Sequence, residues 1–444
     1  MKKANKGLTA TLLVTSLALV AAGCSSNSGS ESADGAKDKA KAKIKFMHMY
    51  DKNSAQPSHQ ADLIEQFKKD HPDVTFDEEV QSHDSYETKI KTLAAANELP
   101  DVFLVKPSMV STFVENGLLR PLNDQLDKNA AWKDGFTEGV LDPYTIDGKT
   151  YGIQMTGGPT HVIYYNKDLV AKAGFPEFPK TWSEFETLIK ELKNQNITPI
   201  ALGNKAKWVV NSSYMSTLGT RYTGTQWFND LVEGKGAKFT DPEFVQALTA
   251  LKGLVDMGAF NKDMNSIDNN QQRTLYYNGS AAMFIEGNWA ANAVETGGPK
   301  EIVEKTELAV FPAIEGAKGE QNTVSGGGGW AYAVNAKIDP AKLDDIQQLI
   351  QSLTDSKAAK LILKYGDIPS SKVDNIESIE MPSLSKKLVK LVETTKFSPI
   401  YDTRLSPGLT ESMNTTMQEL MIGKYTPQQA AEAMQKEYES EMKQ

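Results

Sequence analysis

The chain has 444 residues, of which 40% are hydrophobic and 24% are charged. This composition is typical of a folded protein, and the length predicts about two domains. The net charge of −9 gives no basic surface for phosphate backbones, so nucleic acid is not expected as a partner. The single cysteine excludes an intrachain disulfide, a four-thiolate zinc site and a CxxC redox motif.

The N-terminal residues have the pattern of a secretory signal. Three lysines precede a mostly apolar run over residues 8–20, which is too short for a permanent transmembrane helix. The small residues 21–23 stand directly before Cys24, and this arrangement resembles the lipobox of bacterial lipoproteins. We therefore expect residues 1–23 to be a signal peptide, and Cys24 to be lipidated and to anchor the protein in the membrane. The alternative is a soluble secreted protein in which the cysteine is incidental.

The segment after the cysteine is predicted to be a flexible tether. From residue 25 to residue 43 it contains no aromatic, β-branched or leucine side chain, so it cannot bury enough apolar surface to order itself. We therefore assign residues 24–43 to the tether. The following residues, 44–50, read as a strand, and the globular part is predicted to begin there.

The rest of the chain has the alternation of an α/β protein. Short β-branched or aromatic runs, such as residues 101–105 and 162–165, alternate with longer amphipathic helical stretches. Capping-box sequences predict three helix starts, at residues 181–184, 240–243 and 426–429. No repeat of fixed period is visible in the sequence, which sets aside solenoids and propellers.

Catalytic and metal-binding signatures are scarce. The five histidines form no i, i+4 pair and no cluster with carboxylates at ligand spacing, so no metal site and no cofactor is expected. The sequence has no GxSxG motif and no phosphate-binding GxxxxGK[ST] loop, and the glycines at 326–329 lack the dinucleotide-binding spacing. Among 57 acidic residues, no pair stands out as the acid and nucleophile of a glycosidase. A secreted carbohydrate-active hydrolase is therefore the second interpretation, and a protein that is not an enzyme is the first.

The positions of the tryptophans suggest a sugar site. Three of them stand beside glycine or at the ends of predicted strands, where a ring can face a cleft: Trp208, Trp289 and Trp330. Aromatic planes stack on the C–H face of a pyranose, while planar polar side chains take its hydroxyl groups. From the local sequence alone, burial of these three rings in a hydrophobic core is as well supported as a position in the cleft. Trp182 and Trp227, in predicted helices, are assigned to the core, and Trp132 is left unassigned.

Four stretches resemble one known family, in the family's order. They are YNKDL at 165–169 with PKTW at 179–182, NGSAAMFIEGNW at 278–289, TPQQAA at 426–431, and LPDV at 99–102. The stretch at 278–289 is similar to the family's NGxAAMxxxGxW pattern. With the lipobox in front, the chain is identified as a member of the carbohydrate-binding lipoproteins of ABC importers. These are the extracellular solute-binding proteins of the maltose-binding type (family 1).

The resemblance implies an α/β, two-lobed periplasmic-binding-protein-like fold with a hinged interlobe cleft. Lobe 1 is expected to comprise residues 44–157 with about 330–370, and lobe 2 residues 158–329 with about 371–444. Two crossings between the lobes are expected near residues 156–161 and 325–330. Both are rich in glycine, which suits either a hinge or tight backbone packing at a strand start.

The resemblance also implies a ligand held between the lobes. Trp289 matches the family's stacking ring, and Trp208 lies where another aromatic residue of the cleft commonly occurs. Residues at strand ends are expected to face the crevice, as they do in open sheets. The remaining expected contacts are His48 and Tyr50 after the first strand, Lys106 and Ser108 after the strand at 101–105, Glu286 and Trp330, and Arg404 near the C-terminus.

The function implied is the capture of a sugar outside the cell membrane and its delivery to the permease subunits of an ABC transporter. Three candidate rings in one groove favour an oligosaccharide over a monosaccharide. The expected partners are therefore a carbohydrate ligand, the permease and, through the lipid anchor, the membrane. The protein is expected to act as a monomer at the extracellular face.

Overall fold

The structure, a computed structural model, describes residues 43–53, 58–137 and 139–442. The predicted signal peptide, the predicted lipidation site Cys24 and residues 24–42 of the predicted tether lie outside the described residues. Lys43, which we assigned to the tether, is the first residue of the first strand. Within the described part of the chain, no helix is both long enough and apolar enough to cross a membrane.

The strands follow one another along the described chain with helices between most of them. They are β1 (Lys43–His48), β2 (Thr75–Val80), β3 (Val102–Val105), β4 (Thr145–Ile146), β5 (Lys149–Thr150), β6 (Ile153–Gln154), β7 (Val162–Asn166), β8 (Thr198–Ala201), β9 (Ala281–Glu286), β10 (Thr306–Ala309), β11 (Thr323–Ser325), β12 (Ala331–Val334) and β13 (Lys396–Ser398).

The α-helices cover most of the remaining described residues. They are α1 (His59–Asp70), α2 (His83–Ala96), α3 (Pro107–Glu115), α4 (Asn123–Asp127), α5 (Ala130–Lys133), α6 (Lys167–Lys172), α7 (Trp182–Asn194), α8 (Trp208–Val210), α9 (Ser216–Thr223), α10 (Thr225–Val232), α11 (Pro242–Asp256), α12 (Asn269–Tyr277), α13 (Ala290–Gly297), α14 (Lys300–Lys305), α15 (Leu343–Thr354), α16 (Ser356–Lys364), α17 (Ser383–Glu393), α18 (Tyr401–Arg404), α19 (Pro407–Met421) and α20 (Pro427–Glu441). A π-helical turn over Asn211–Met215 joins α8 to α9.

A five-stranded sheet of order β2-β1-β3-β12-β6 forms the centre of lobe 1. Strand β1 is parallel to both β2 and β3, whereas β12 is antiparallel to β3 and β6. The register pairs Ala331 with Val105, so the start of β12 meets the end of β3. The residues just outside these ends, Trp330 and Lys106, are therefore brought to the same edge of the sheet.

A four-stranded sheet of order β10-β7-β9-β8 forms the centre of lobe 2. Strands β8 and β9 are parallel, and β7 runs antiparallel to β9 with Val162 opposite Glu286. All six side chains of β9 are buried, as expected of a strand covered on both faces. The end of β9 and the start of β7 thus share one edge, which brings Trp289 beside the chain that enters from lobe 1.

The helix starts show where local pattern predicts the fold and where it does not. The capping boxes at Thr181 and Thr426 are confirmed, with the reciprocal hydrogen bonds present in both. The prediction of a capping box at 240–243 is wrong. The N-cap residue of α11 is Asp241, and its side chain accepts no hydrogen bond from the first turn of the helix. The Asp241 carboxylate instead accepts hydrogen bonds from Trp227 Nε1 at 2.8 Å and the Lys238 amide at 2.9 Å.

The tryptophans assigned to packing are found in or against hydrophobic cores. Trp182 is buried among the apolar residues of lobe 2, as predicted. Trp227 is half-buried against the same core and stacks on Phe244, with ring centroids 5.1 Å apart. Trp132, which sequence left unassigned, is buried in lobe 1.

The chain segments between the two lobes run side by side. The Thr160 amide donates to Ser325 O at 2.7 Å, and the Gly157 amide donates to Ile368 O at 2.9 Å. Strand β11, which precedes the second crossing, pairs in parallel with β13. A third passage lies between Lys372, whose amide bonds Gly135 of lobe 1, and α17, which packs against β10 of lobe 2. The lobe boundaries near residues 157, 329 and 370 remain predictions.

Two glycines of the second crossing, Gly327 and Gly329, differ in backbone conformation but not in the space around them. Gly327 has φ +100°, and a Cβ added there or at Gly329 would meet no atom within 4 Å. Of the two, only Gly327 has a backbone conformation that L residues rarely adopt.

We therefore expect Gly327→Ala to lower the free energy of unfolding by about 1–2 kcal/mol, because the substitution adds backbone strain and no steric clash. The matched control Gly329→Ala should change it by less than about 0.5 kcal/mol. Urea unfolding compares them, and equal losses would contradict a conformational role for Gly327.

Candidate functional site

A cavity of about 460 Å³ lies where the two sheet edges face each other. Its volume falls within the roughly 300–1,000 Å³ that is usual for small-molecule sites. Residues of lobe 1, residues of lobe 2 and the glycines of the crossings all contribute to its lining. The predicted site residues that line it are Tyr50, Lys106, Trp208, Trp289 and Trp330.

Aromatic rings from both lobes surround this cavity. Trp208 and Trp289 of lobe 2 form a tilted pair, with ring centroids 6.0 Å apart and planes at 54°. Trp330 of lobe 1 packs edge-on against the buried Tyr86 at 5.2 Å. Trp289 is 37% exposed, although its neighbours Asn288 and Ala290 are buried. All three rings line the cavity, and the stacking of a ligand on them remains a prediction.

Lys106 occupies the edge of lobe 1 and reaches toward lobe 2. Its ammonium lies 2.8 Å from Glu87, 3.7 Å from Asp402 on α18, and 5.2 Å from the ring centre of Trp330. Burial alone would lower the pKa of Lys106, but Asp402 and Glu87 outweigh burial and raise it. Burial alone would raise the pKa of Glu87, but Lys106 lowers it to about 2. Lys106 is therefore charged, and its charge is already matched by carboxylates.

Glu286, which we predicted to contact the ligand, lies behind the cavity wall. Its side chain has no exposure to solvent and does not line the cavity. It accepts hydrogen bonds from Trp289 Nε1 at 2.7 Å and from Arg273 Nη1 at 2.7 and 2.8 Å. Asn269 and Gln272 on α12 donate to it at 2.8 and 3.0 Å. Glu286 thus holds the cavity-lining side chains of Arg273 and Trp289 from behind.

The other predicted contacts also lie outside the cavity lining. His48 is buried and pairs with Glu78 on β2 at 2.7 Å. Ser108 is half-buried and belongs to α3. It does not follow the end of β3 as we expected, because the helix already begins at Pro107. Arg404 bonds Asn229 at 2.8 Å and lies over the ring of Phe228.

The structure brings other residues to the cavity that sequence reasoning missed. On α18, Asp402 and Thr403 line the cavity in place of Arg404. His59 Nε2 lies 2.8 Å from Asp367 Oδ2, and the Asn288 amide donates to the other oxygen of Asp367. Burial raises the pKa of the Tyr50 phenol, and Asp367 adds to this effect. His59 and Asp367 are 308 positions apart, so no local signal could have paired them.

The arrangement is suited to binding a polyol. Ring faces cover part of the wall, and hydroxyl and amide groups such as Thr156, Ser212 and Asn292 stand between them. Among the described residues, no three His, Cys, Asp or Glu side chains are grouped so that they could hold a metal ion. What the cavity offers is therefore shape, ring faces and hydrogen-bonding groups.

Comparison with known proteins identifies the family. The model of the family described as bacterial extracellular solute-binding protein matches residues 53–360. The chain belongs to this family. A multiple sugar-binding protein from Streptococcus mutans serotype c is 24% identical over 315 residues, which are 70% of this chain and 70% of that protein.

Two solved structures share the fold of this chain. A chitin oligosaccharide binding protein superposes with a TM-score of 0.83 at 26% identity, covering 90% of this chain and 98% of that one. A structure described in connection with xylan utilization by the thermophilic bacterium Caldanaerobius polysaccharolyticus gives a TM-score of 0.81 at 29% identity, covering 89% and 99%. The predicted family and the predicted two-lobed α/β fold are confirmed.

The buried ion pair of Glu286 generates a stability prediction. Glu286→Gln should lower the free energy of unfolding by about 3–5 kcal/mol, because Arg273 is left as a buried charge without its partner. The matched control is Glu307→Gln on β10 of the same sheet, whose pair with Lys387 is partly exposed. It should cost no more than about 1 kcal/mol.

Fluorine NMR of protein labelled with 5-fluorotryptophan gives a second measurement on these variants. The resonance of Trp289, assigned by Trp289→Phe, should shift in Glu286→Gln and stay in place in Glu307→Gln. Similar behaviour of the two glutamate variants, in stability and in spectrum, would contradict the positioning role.

Proposed function

We propose that this solute-binding protein is the carbohydrate receptor of an ABC importer. The observation that carries the proposal is the ring-lined cavity between the two lobes, formed at the strand ends of both sheets. Rings and hydroxyl-bonding groups arranged in this way match the two faces of a pyranose. The printed names of the relatives, a multiple sugar-binding protein and a chitin oligosaccharide binding protein, support the same ligand class.

The ligand is an oligosaccharide in this proposal. Trp208 and Trp289 on one wall and Trp330 on the other offer more ring surface than one pyranose can cover. Each successive sugar unit can then rest on a different ring, and Tyr50 also lines the cavity. The permease receives the sugar because it distinguishes the liganded, closed form from the open one, and the ligand favours closure through its contacts with both lobes.

A binding protein is favoured over a hydrolase by the state of the carboxylates in the cavity. Asp367 is held by His59 and Asn288, and Asp402 lies beside Lys106. A glycosidase needs one carboxyl group free to give a proton and another free to attack the sugar or activate water. Asp268 accepts hydrogen bonds from the amides of Asn270 and Gln271, and Asp84 faces His83, so each of the four lining carboxylates has a partner within the protein. We therefore expect no bond of the sugar to be made or broken.

A thermal-shift screen tests the proposed function. The probes are xylotriose, chitotriose, maltotriose, cellotriose and galactotriose, each added to the purified mature chain. A sugar present at 100 times its dissociation constant should stabilise the native state by about 2.7 kcal/mol. The sugar should then be recovered intact by chromatography. Shortened products would favour the hydrolase, and no stabilisation by any sugar would count against the proposal.

Trp289 and Trp182 form a matched pair that separates ligand binding from folding. Trp289→Ala should weaken binding of the best sugar by about 1–3 kcal/mol, since an exposed ring face is lost. Its cost in folding should be about 1–3 kcal/mol, because the buried Glu286 loses the indole as a donor. Trp182→Ala should instead cost about 3–5 kcal/mol of stability, because it empties a buried site. Calorimetric titration and urea unfolding measure both quantities, and lost stability with unchanged affinity in Trp289→Ala would exclude stacking.

Lipid anchoring through Cys24 is part of the proposal. Two or more acyl chains on this residue would hold the receptor stably at the extracellular face of the membrane, as a monomer beside its permease. Cys24→Ala should therefore release the protein into the medium with unchanged sugar affinity, because the residue precedes the globular part. Fractionation of cells and medium measures this release. Retention of the variant in the membrane fraction would refute the anchor.

A further inference from the structure

We propose that the cavity selects an electrically neutral sugar and rejects sugars that carry a carboxylate. The inference rests on the proposed carbohydrate function and specifies its ligand class. The charged groups around the cavity and their hydrogen bonds carry it.

The permanent cations of the cavity lining already have carboxylate partners. Lys106 is held between Glu87 and Asp402, at 2.8 and 3.7 Å. Arg273 makes two charge-assisted hydrogen bonds with the buried Glu286, at 2.7 and 2.8 Å. A uronate drawn to either cation would also face the carboxylate that already balances its charge, so the attraction would be largely offset by repulsion.

The two histidines of the lining are placed in the same way. His59 Nε2 lies 2.8 Å from Asp367, and His83 Nδ1 lies 3.7 Å from Asp84. Any positive charge that these rings acquire therefore faces a carboxylate of the protein. Neither ring adds an unmatched cation for an anionic ligand.

Carboxylates outnumber cations among the described lining residues. The acidic members are Asp84, Asp268, Asp367 and Asp402, against Lys106 and Arg273. Glu87 and Glu286 add two more negative charges directly behind those cations. A ligand carboxylate would thus enter a site of net negative charge and be repelled by it.

Asp402 supplies an independent reason for the same preference. The residue is 5% exposed, and its Oδ1 is buried with no hydrogen-bond partner among the described residues. Burial raises the pKa of Asp402, which reflects how poorly this position tolerates charge. An unpartnered acceptor needs a donor, and a sugar hydroxyl is one. Oxidation at C6 replaces one such hydroxyl by an ionised carboxylate, which only accepts hydrogen bonds, so a uronate with this group toward Asp402 would leave Oδ1 unpaired and add a second negative charge.

Matched sugars test the inference. Cellotriose, maltotriose, galactotriose and chitotriose are each compared with the same trisaccharide oxidised at C6 to the uronate, and xylotriose with its glucuronate-branched form. For the sugar that binds best, the anionic partner should bind at least about tenfold more weakly at low salt. The difference should shrink as salt is raised. An anionic sugar that binds as tightly as its neutral partner would overturn the inference and leave carbohydrate binding intact. Failure of every sugar would instead count against the proposed function.

The variant Asp402→Asn tests whether the local charge is responsible. The asparagine keeps an acceptor oxygen but removes one of the two carboxylates beside Lys106. The penalty against the uronate, which is the ratio of its dissociation constant to that of the neutral sugar, should therefore fall by about fivefold or more. The amide is expected to be tolerated because burial already disfavours the charge at this position, and the unfolding midpoint checks this. The control Asp256→Asn removes the same charge from an exposed site on α11, paired with Lys252. It should leave the penalty unchanged, and equal effects of the two variants would overturn the role of Asp402.

Discussion

The lobe 2 wall of the cavity depends on one carboxylate that has no access to water. A charge at the end of a buried strand is tolerated only when donors from other elements surround it. Glu286 finds them in Arg273, Asn269 and Gln272 on α12 and in the indole of Trp289. The helix, the strand end and the ring are therefore fixed relative to one another by a single group. The ring can remain partly exposed because its N–H is held from behind.

Sheet topology decides which residues reach the cavity. In each lobe the strand order brings a strand end and a strand start to one edge, and the side chains just beyond them face the opposite lobe. Lys106 and Trp330 meet in this way, although they are far apart in the sequence. The π-helical turn contributes as well, since Ser212 O accepts hydrogen bonds from Thr160 and Ser325 in the crossings. Such turns interrupt regular helix where function requires a different backbone position.

Local pattern predicted the rings of the cavity better than its polar groups, for a physical reason. Trp208, Trp289 and Trp330 follow glycines or strand ends, positions from which a ring can face a crevice, although the local pattern left burial in a core equally open. The role of Glu286 had a signal too, because a lone acid in the otherwise apolar strand AAMFIE must be paired with donors. The pair of His59 and Asp367 had none, since it is created only by folding. On α18, neighbouring side chains point about 100° apart, so choosing Asp402 over Arg404 requires the orientation of the helix axis.

The segments that join the lobes form a hydrogen-bonded ribbon. Gly327 donates to Gly158 O at 3.3 Å, Thr160 donates to Ser325 O, and Gly326 donates to Ser398 O at 3.1 Å. A ribbon of adjacent strands bends across its plane far more easily than its members slide past one another, because sliding breaks every hydrogen bond at once. Bending of the ribbon is therefore the relative motion of the lobes that these connections permit most easily. A ligand held between the lobes would then enter and leave from the side opposite the ribbon.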